Sequence, residues 1–289
     1  MSVVQITETL KDLNTYVAGI EARRKKRAED LRVPDGWLSL TGLFELKEGE
    51  QTIGSNATSD AVLPASAPAH LGTLALHDKK VTLHLALSLA VETAVTVDGV
   101  SVLAGAQIAL ADNQDGAATP TLVRLGSVSF FVHKYGDHYA IRVKDSQNPA
   151  IQEFAGFTWF EVKPDYRVRG RFVPHSAPQK VEVNTTVNTI AKYQSPGVVE
   201  FELHGQPLSL LVTSRHGNKL SIILRDATSG KQTYPAVRFL TVEVDADNNV
   251  DVDFNMAYNP PCALTPYATC PLPPRENILP VAIEAGEQY

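Results

Sequence analysis

From Trp37 onward the chain breaks into short apolar runs separated by Gly, Asp, Asn and Pro, and helical periodicity does not clearly return. Runs of this length cannot bury alternating apolar faces singly. They must either pack as two sheets face to face or close on themselves. The runs expected as strands are 37–46, 51–53, 72–76, 80–85, 94–97, 100–103, 107–110, 123–125, 128–134 and 138–143. After a break come 157–160, 166–168, 179–187, 197–203, 206–214, 219–226, 238–244 and 249–254. Asp98-Gly99, set between Val95/Val97 and Val100/Val102, is a two-residue hairpin signal, because that turn needs positive φ.

Ahead of these strands, Leu10, Leu13, Val17 and Ile20 recur at three- and four-residue spacing. They predict an amphipathic helix from about Thr7, its candidate cap, to Leu31, stopped by Pro34-Asp35-Gly36. A length of 289 residues exceeds the usual size of one core. The expected organisation is therefore an N-terminal helix over 1–34, a β-sandwich over 35–145 and a second antiparallel sandwich or barrel-like domain over 146–289. Ser146-Gln147-Asn148-Pro149 is expected as the polar connection between the last two. The fold class is mainly β.

The C-terminal stretch carries both cysteines and seven of the 18 prolines, a composition that suggests a disordered tail. It also interleaves Phe254, Tyr258, Leu264, Tyr267, Ile278, Leu279, Val281 and Ile283, which a tail would lack. We read it as irregular but packed. Ordering such a segment costs conformational entropy without the return of ladder hydrogen bonds, which makes it a place to look for a site.

A net charge of −6 gives no electrostatic reason to expect nucleic acid. The basic run Arg23-Arg24-Lys25-Lys26-Arg27 reads as a solvated helix face. No apolar run reaches a membrane span, and the N-terminus lacks a secretion pattern, so the expected location is cytoplasmic with no membrane partner. Gly-rich phosphate loops, His-Glu-x-x-His and Gly-x-Ser-x-Gly are all missing. All eight histidines lie at or before His216, so none is local to Cys262 and Cys270. No metal and no cofactor are expected. The two cysteines read first as small buried apolar groups, with a bridged or redox-active thiol pair as the alternative.

Arg225-Asp226-Ala227-Thr228-Ser229-Gly230, Thr233-Tyr234, Arg238-Phe239-Leu240, Asp253-Phe254-Asn255 and Ala257-Tyr258-Asn259-Pro260 resemble a bacterial and fungal family known as domain of unknown function 1684. The likeness continues through Cys262-Ala263, Cys270-Pro271-Leu272-Pro273-Pro274, Glu276-Asn277 and Ala285-Gly286-Glu287, and includes Gly36-Trp37-Leu38-Ser39-Leu40. Pro235-Ala236-Val237 departs from the family pattern, in which glycine is more usual before the arginine. The resemblance implies an architecture and the location of a site, not a reaction. In the first half, Ile53-Gly54-Ser55, Ser59-Asp60-Ala61-Val62-Leu63, Ser66/His70 and Val97-Asp98-Gly99 resemble the landmarks of forkhead-associated domains, β-sandwiches that bind phosphothreonine. Ser55 stands where that family usually has an arginine, and the Ser-to-His spacing is one residue longer, so the phosphate-gripping cation is missing.

The candidate constellation gathers predicted strand ends at one rim. Arg225, Tyr234, Arg238, Asn255, Tyr258 and Asn259 are the candidate ligand-binding residues, and Asp226, Asp253 and Glu276 are candidate acids or bases if burial raises a pKa. Whether the protein is an enzyme stays open. One reading is binding or conversion of a small polar or anionic molecule in the C-terminal domain; a buried Arg–Asp latch for the C-terminal wrap competes for the same residues. The other reading is a noncatalytic protein-interaction module that uses the N-terminal sandwich. Arg167, Arg169 and Arg171 share one strand face, read as exposed and balanced by Glu161 and Asp165.

Overall fold

The computed structural model describes residues 3–90, 93–114 and 119–289, with side chains from residue 12 onward. The chain forms two compact units, one of residues 31–154 with 265–268, the other of residues 3–30, 155–264 and 269–289. No helix among the described residues is long and apolar enough to cross a membrane.

Among the described residues the first unit contains eleven strands: β1 (Leu40–Leu46), β2 (Gly49–Gly54), β3 (Ala61–Val62), β4 (Gly72–His77), β5 (Lys80–Leu85), β6 (Val95–Val97), β7 (Val100–Val102), β8 (Gln107–Leu110), β9 (Val123–Leu125), β10 (Val128–Tyr135) and β11 (His138–Asp145). They make a six-stranded sheet of order β1-β11-β10-β9-β6-β7 and a five-stranded sheet of order β3-β2-β4-β5-β8. Ile53, Leu71, Leu74, Leu83, Phe130 and Ile141 are buried in one shared core, the only way two half-apolar sheets of this size escape water. Asp98 and Gly99 take φ of 49° and 81° at the β6–β7 turn, as the hairpin signal requires. A short helix, Pro149–Glu153, capped by the Asn148 side chain, begins at the end of the expected connection 146–149.

The second unit begins with helix α1 (Val3–Leu31). It starts before Thr7, which is therefore inside the helix rather than at its cap; the side chains of Thr7 and Leu10 lie outside the described residues. Seven strands follow: β12 (Arg167–Asn184), β13 (Ile190–Leu203), β14 (Gln206–Leu211), β15 (Ser214–His216), β16 (Lys219–Leu224), β17 (Arg238–Glu243) and β18 (Asn249–Asp253). A four-stranded sheet, β14-β13-β12-β18, and a three-stranded sheet, β15-β16-β17, face one core around Phe172, Val199, Leu210, Leu220, Val252 and Phe254. At one seam the sheets are joined by the Val244–Val250 bridge. At the other, where Leu211 and Ile223 run side by side, the Asn277 amide replaces missing ladder bonds. Its Oδ1 accepts from the Leu211 amide at 2.6 Å, and its Nδ2 donates to the Leu211 and Ile223 carbonyls at 2.9 and 2.8 Å.

Two expected elements come out differently. Residues 157–160 form an isolated bridge between Trp159 and Glu287 rather than a strand. The β12–β13 hairpin is far longer than the separate short runs expected, and it passes through a register shift between Pro174 and Gln179. Pro174 and Pro178 cannot donate to a ladder, so they read as strand breaks, yet both sit exposed in the irregular stretch of β12 where no donor is required.

Candidate functional site

β16 ends at Leu224 and β17 begins at Arg238, which brings Asp226 and Arg238 together inside the second unit. Arg238 Nη2 donates to Asp226 Oδ2 at 2.6 Å, and neither side chain is exposed. The remaining bonds go to backbone, apart from one with the Thr228 hydroxyl. Arg238 Nη1 donates to the Ala285 carbonyl at 2.6 Å and Nη2 to that of Ile283 at 3.1 Å. Asp226 Oδ1 accepts from the Thr228 amide and hydroxyl and from the Ile283 amide. With both Asp226 oxygens committed and neither side chain exposed, the pair takes the form of a latch, although Arg238 Nε has no hydrogen-bond partner among the described residues. Glu276, one residue from the buried Asn277, is exposed; the burial that would make it an acid is absent. Arg225 enters the segment through its backbone, donating to Asn277 and accepting from Leu279. Asp226 and Arg238 thus stand in the arrangement of the latch reading, and Glu276 lies outside it.

Asp253 and Asn255 lie at the end of β18 and in the 3-10 turn Phe254–Met256. Tyr16 of α1 donates its hydroxyl to Asp253 Oδ2 at 3.0 Å and accepts from Asn255 Nδ2 at 3.0 Å. Asn255, fully buried, also bonds both backbone groups of Lys163. Burial raises the Asp253 carboxyl, opposed by the Asn255 and Tyr16 hydrogen bonds. The Tyr16 phenol is pushed well above its ordinary value, first by burial and then by the Asp253 charge. Arg167 lies 4.9 Å from the Tyr16 ring centroid and holds Asp251 through Nε and Nη2 at 2.9 and 2.5 Å. Its partner is thus Asp251 of the neighbouring strand rather than Glu161 or Asp165. The adjoining surface cavity, of about 480 Å³, is lined by Arg167, Arg169, Asn218, Asp245 and Asn249 among others.

The third cluster lies about two to three turns further along α1 and corrects the reading of the basic run as a solvated face. Lys25 and Lys26 are exposed, but Arg24 is 92% buried (8% exposed) and Arg27 half-buried. The Arg27 guanidinium sits 4.5 Å from the ring centroids of both Phe157 and Tyr258, donates to Glu287 Oε2 at 2.9 Å and to the Asn259 carbonyl at 2.8 Å. Glu287 is almost fully buried; burial raises its carboxyl while Arg27 opposes the shift. Arg24 lies 4.8 Å from the Trp159 centroid and reaches Glu21 through Nη1 at 3.0 Å. Its Nε and Nη2 are buried and have no hydrogen-bond partner among the described residues, and neither does the buried Oδ1 of Asn259. Burial lowers the Arg24 pKa, opposed by Glu21. Arg24, Trp159 and Glu287 were not among the expected site residues. The signal was present: Ile20, Arg24, Arg27 and Leu31 fall on one helical stripe.

In the Pro-rich stretch, Tyr234 donates its hydroxyl to the Cys262 carbonyl at 3.1 Å, and the Cys262 amide donates to Cys270 Sγ at 3.3 Å. The two cysteines are thiols. No group of three or more His, Cys, Asp or Glu among the described residues is arranged to hold a metal ion.

The chain therefore gathers Asn255, Tyr258 and Asn259 beneath α1, places Tyr234 with the cysteines, and commits Asp226 and Arg238 to the C-terminal wrap. No curated protein matches the chain. A solved structure, the solution NMR structure of the uncharacterized protein from gene locus rrnAC0354 of Haloarcula marismortui, is 31% identical over 48% of this chain and 78% of that one, with a TM-score of 0.41. A family model described as "Protein of unknown function (DUF1684)" matches residues 152–288, and through that region the chain belongs to this family.

Proposed function

We propose that the second unit binds a small molecule carrying a carboxylate or phosphate beneath α1, at Arg24. One observation carries this reading: the Nε/Nη2 edge of Arg24 is buried and unpartnered. That is the same edge with which Arg167 holds the Asp251 carboxylate in this protein. Its two parallel donors match a planar pair of anionic oxygens. Glu21 satisfies Nη1 alone, so two guanidinium donors stay desolvated without partners, a cost an incoming anion offsets. Asn259 Oδ1, also buried without a partner, supplies an acceptor for a hydroxyl or amine on the same molecule. Trp159, Phe157 and Tyr258 wall the cluster, and Asn255 and Tyr16 brace Asp253 beside it. Entry requires α1 to yield at this turn.

A thermal-shift screen of carboxylate and phosphate metabolites tests the reading, since a ligand for the native state raises Tm by mass action. The expected result is a hit that Arg24→Lys abolishes, because lysine keeps the charge but loses the two-donor edge. If no anion raises Tm and Arg24→Met is as stable as the parent, Arg24 is a packing residue and the reading falls.

A noncatalytic interaction role for the first unit has its own support. Leu87 and Leu103 are exposed at 87% and 83%, large apolar side chains on the loops flanking β5 to β8. The cavity of about 700 Å³ in that unit, lined by Ser66, His70, Ser88, Thr93 and Ser127 among others, has no Arg or Lys among the described residues of its lining, so a phosphopeptide would lack a cation from them. Leu87→Asp and Leu103→Asp would weaken capture of a protein partner without altering the anion response.

A further inference from the structure

Cys262 and Cys270 are held facing each other from opposite sides. Cys262 sits in the 3-10 turn Pro261–Ala263, its carbonyl bound by the Tyr234 hydroxyl. Cys270 is clamped by the far end of the β12–β13 hairpin. Its amide donates to Thr186 Oγ1 at 3.1 Å, its carbonyl accepts from the Thr186 amide at 2.8 Å, and Pro271 bridges Thr185. The Cys262 amide meets Cys270 Sγ at 3.3 Å, which brings the Cys270 sulfur against the Cys262 backbone. The two differ in access: Cys262 is half-buried and Cys270 is buried.

We propose that this pair is a peroxide-reactive dithiol in which Cys262 meets the oxidant and Cys270 resolves it as an intrachain disulfide. The Cys262 thiolate attacks one oxygen of hydrogen peroxide; an S–O bond forms, the O–O bond breaks, and the departing hydroxide takes a proton to leave as water. Cys270 sulfur then attacks the sulfenic sulfur; the S–S bond forms, the S–O bond breaks, and hydroxide leaves with the Cys270 proton as a second water. Two thiols lose two electrons, and one peroxide gains them.

The surroundings suit this order. The Cys262 thiol is lowered to about 7, first by the hydrogen bond from Cys270, against burial, and further by Tyr234. The phenols facing the pair are Tyr234, with Tyr289 packed edge-on to it, and Tyr193 beside Cys270. No lysine or arginine takes part in that shift, so the thiolate owes its stability to hydrogen bonds rather than to a cation. A half-buried sulfur admits a small oxidant, which favours hydrogen peroxide over a bulky disulfide.

The test uses the reduced chain of 289 residues treated with hydrogen peroxide. The expected product has lost two hydrogens by intact mass, has lost both thiols together to maleimide, and regains them with dithiothreitol. Cys270→Ser should stop at the Cys262 sulfenic acid and add dimedone; Cys262→Ser should leave Cys270 unoxidised over the same interval. In the parent, iodoacetamide alkylation of Cys262 at pH 7 should run about tenfold faster in the folded than in the urea-unfolded chain, with a midpoint near pH 7. The proposal is overturned if folded and unfolded chains react at equal rates, or if peroxide leaves both thiols open to maleimide. The parent-chain rates decide the matter even if a serine variant does not fold.

Discussion

Arg238 and Asp226 form an ion pair at 2.6 Å whose every further bond runs to the backbone of residues 228 and 283–285 or to the Thr228 hydroxyl. Removing one partner leaves a buried charge facing carbonyls or amides alone. Asp226→Ala should therefore lower stability by about 3–5 kcal/mol in urea denaturation, and Asp226→Leu with Arg238→Met should recover much of that loss. A single Asp226→Ala loss below about 1 kcal/mol would mean that water reaches the pair.

Asn277 serves three backbone groups across the seam between β14 and β16. Each buried group left unpaired costs roughly 1–3 kcal/mol. Asn277→Ala should cost about 3 kcal/mol or more, whereas Glu276→Ala, one residue earlier and exposed, should be nearly neutral. Parallel denaturant titrations of the two variants check the contrast.

Burial holds the Asp253 carboxyl above its ordinary value, so the folded chain keeps that proton more tightly than the unfolded chain does. Its contribution to stability is complete below about pH 4, the ordinary aspartate value, and declines as pH rises through the raised one. Asp253→Asn should flatten this part of the stability profile. A slope that survives unchanged would assign it to Glu287, the other carboxyl raised by burial.

Gly286 holds φ at +84°, and a Cβ there would lie 2.4 Å from the Ala257 carbonyl oxygen. Gly286→Ala should destabilise by more than about 1 kcal/mol, through strain at positive φ and through displacement of the Glu287–Ala257 backbone bond. Because Glu287 anchors Arg27, the same substitution should also loosen α1, seen as faster amide exchange over residues 16–27.

Much of the fold was legible because its signals are local. The Asp98-Gly99 turn fixes two strands by itself, and 80–85, 107–110 and 123–125 run as expected since alternation and turn residues agree there. The β12–β13 hairpin was not legible, because its prolines carry the usual mark of a strand end and only the irregular pairing beyond Pro174 tolerates them. For the site, the polar residues were visible but their direction was not. Asn277 and Glu276 are adjacent, and nothing local says which one turns inward. Arg24 was hidden by composition, since five consecutive basic residues suggest solvent although only some of them share the stripe of Ile20 and Leu31.

The Asn277 seam and the Arg238–Asp226 pair also set a timetable. Every strand of the second unit precedes residue 254 in the chain, yet the amide that closes the seam and the carbonyls that receive Arg238 come from residues 277–285. A chain that has already made all its strands still holds an ion pair short of its backbone partners and an open edge, so its native state waits on a segment that contributes no strand of its own.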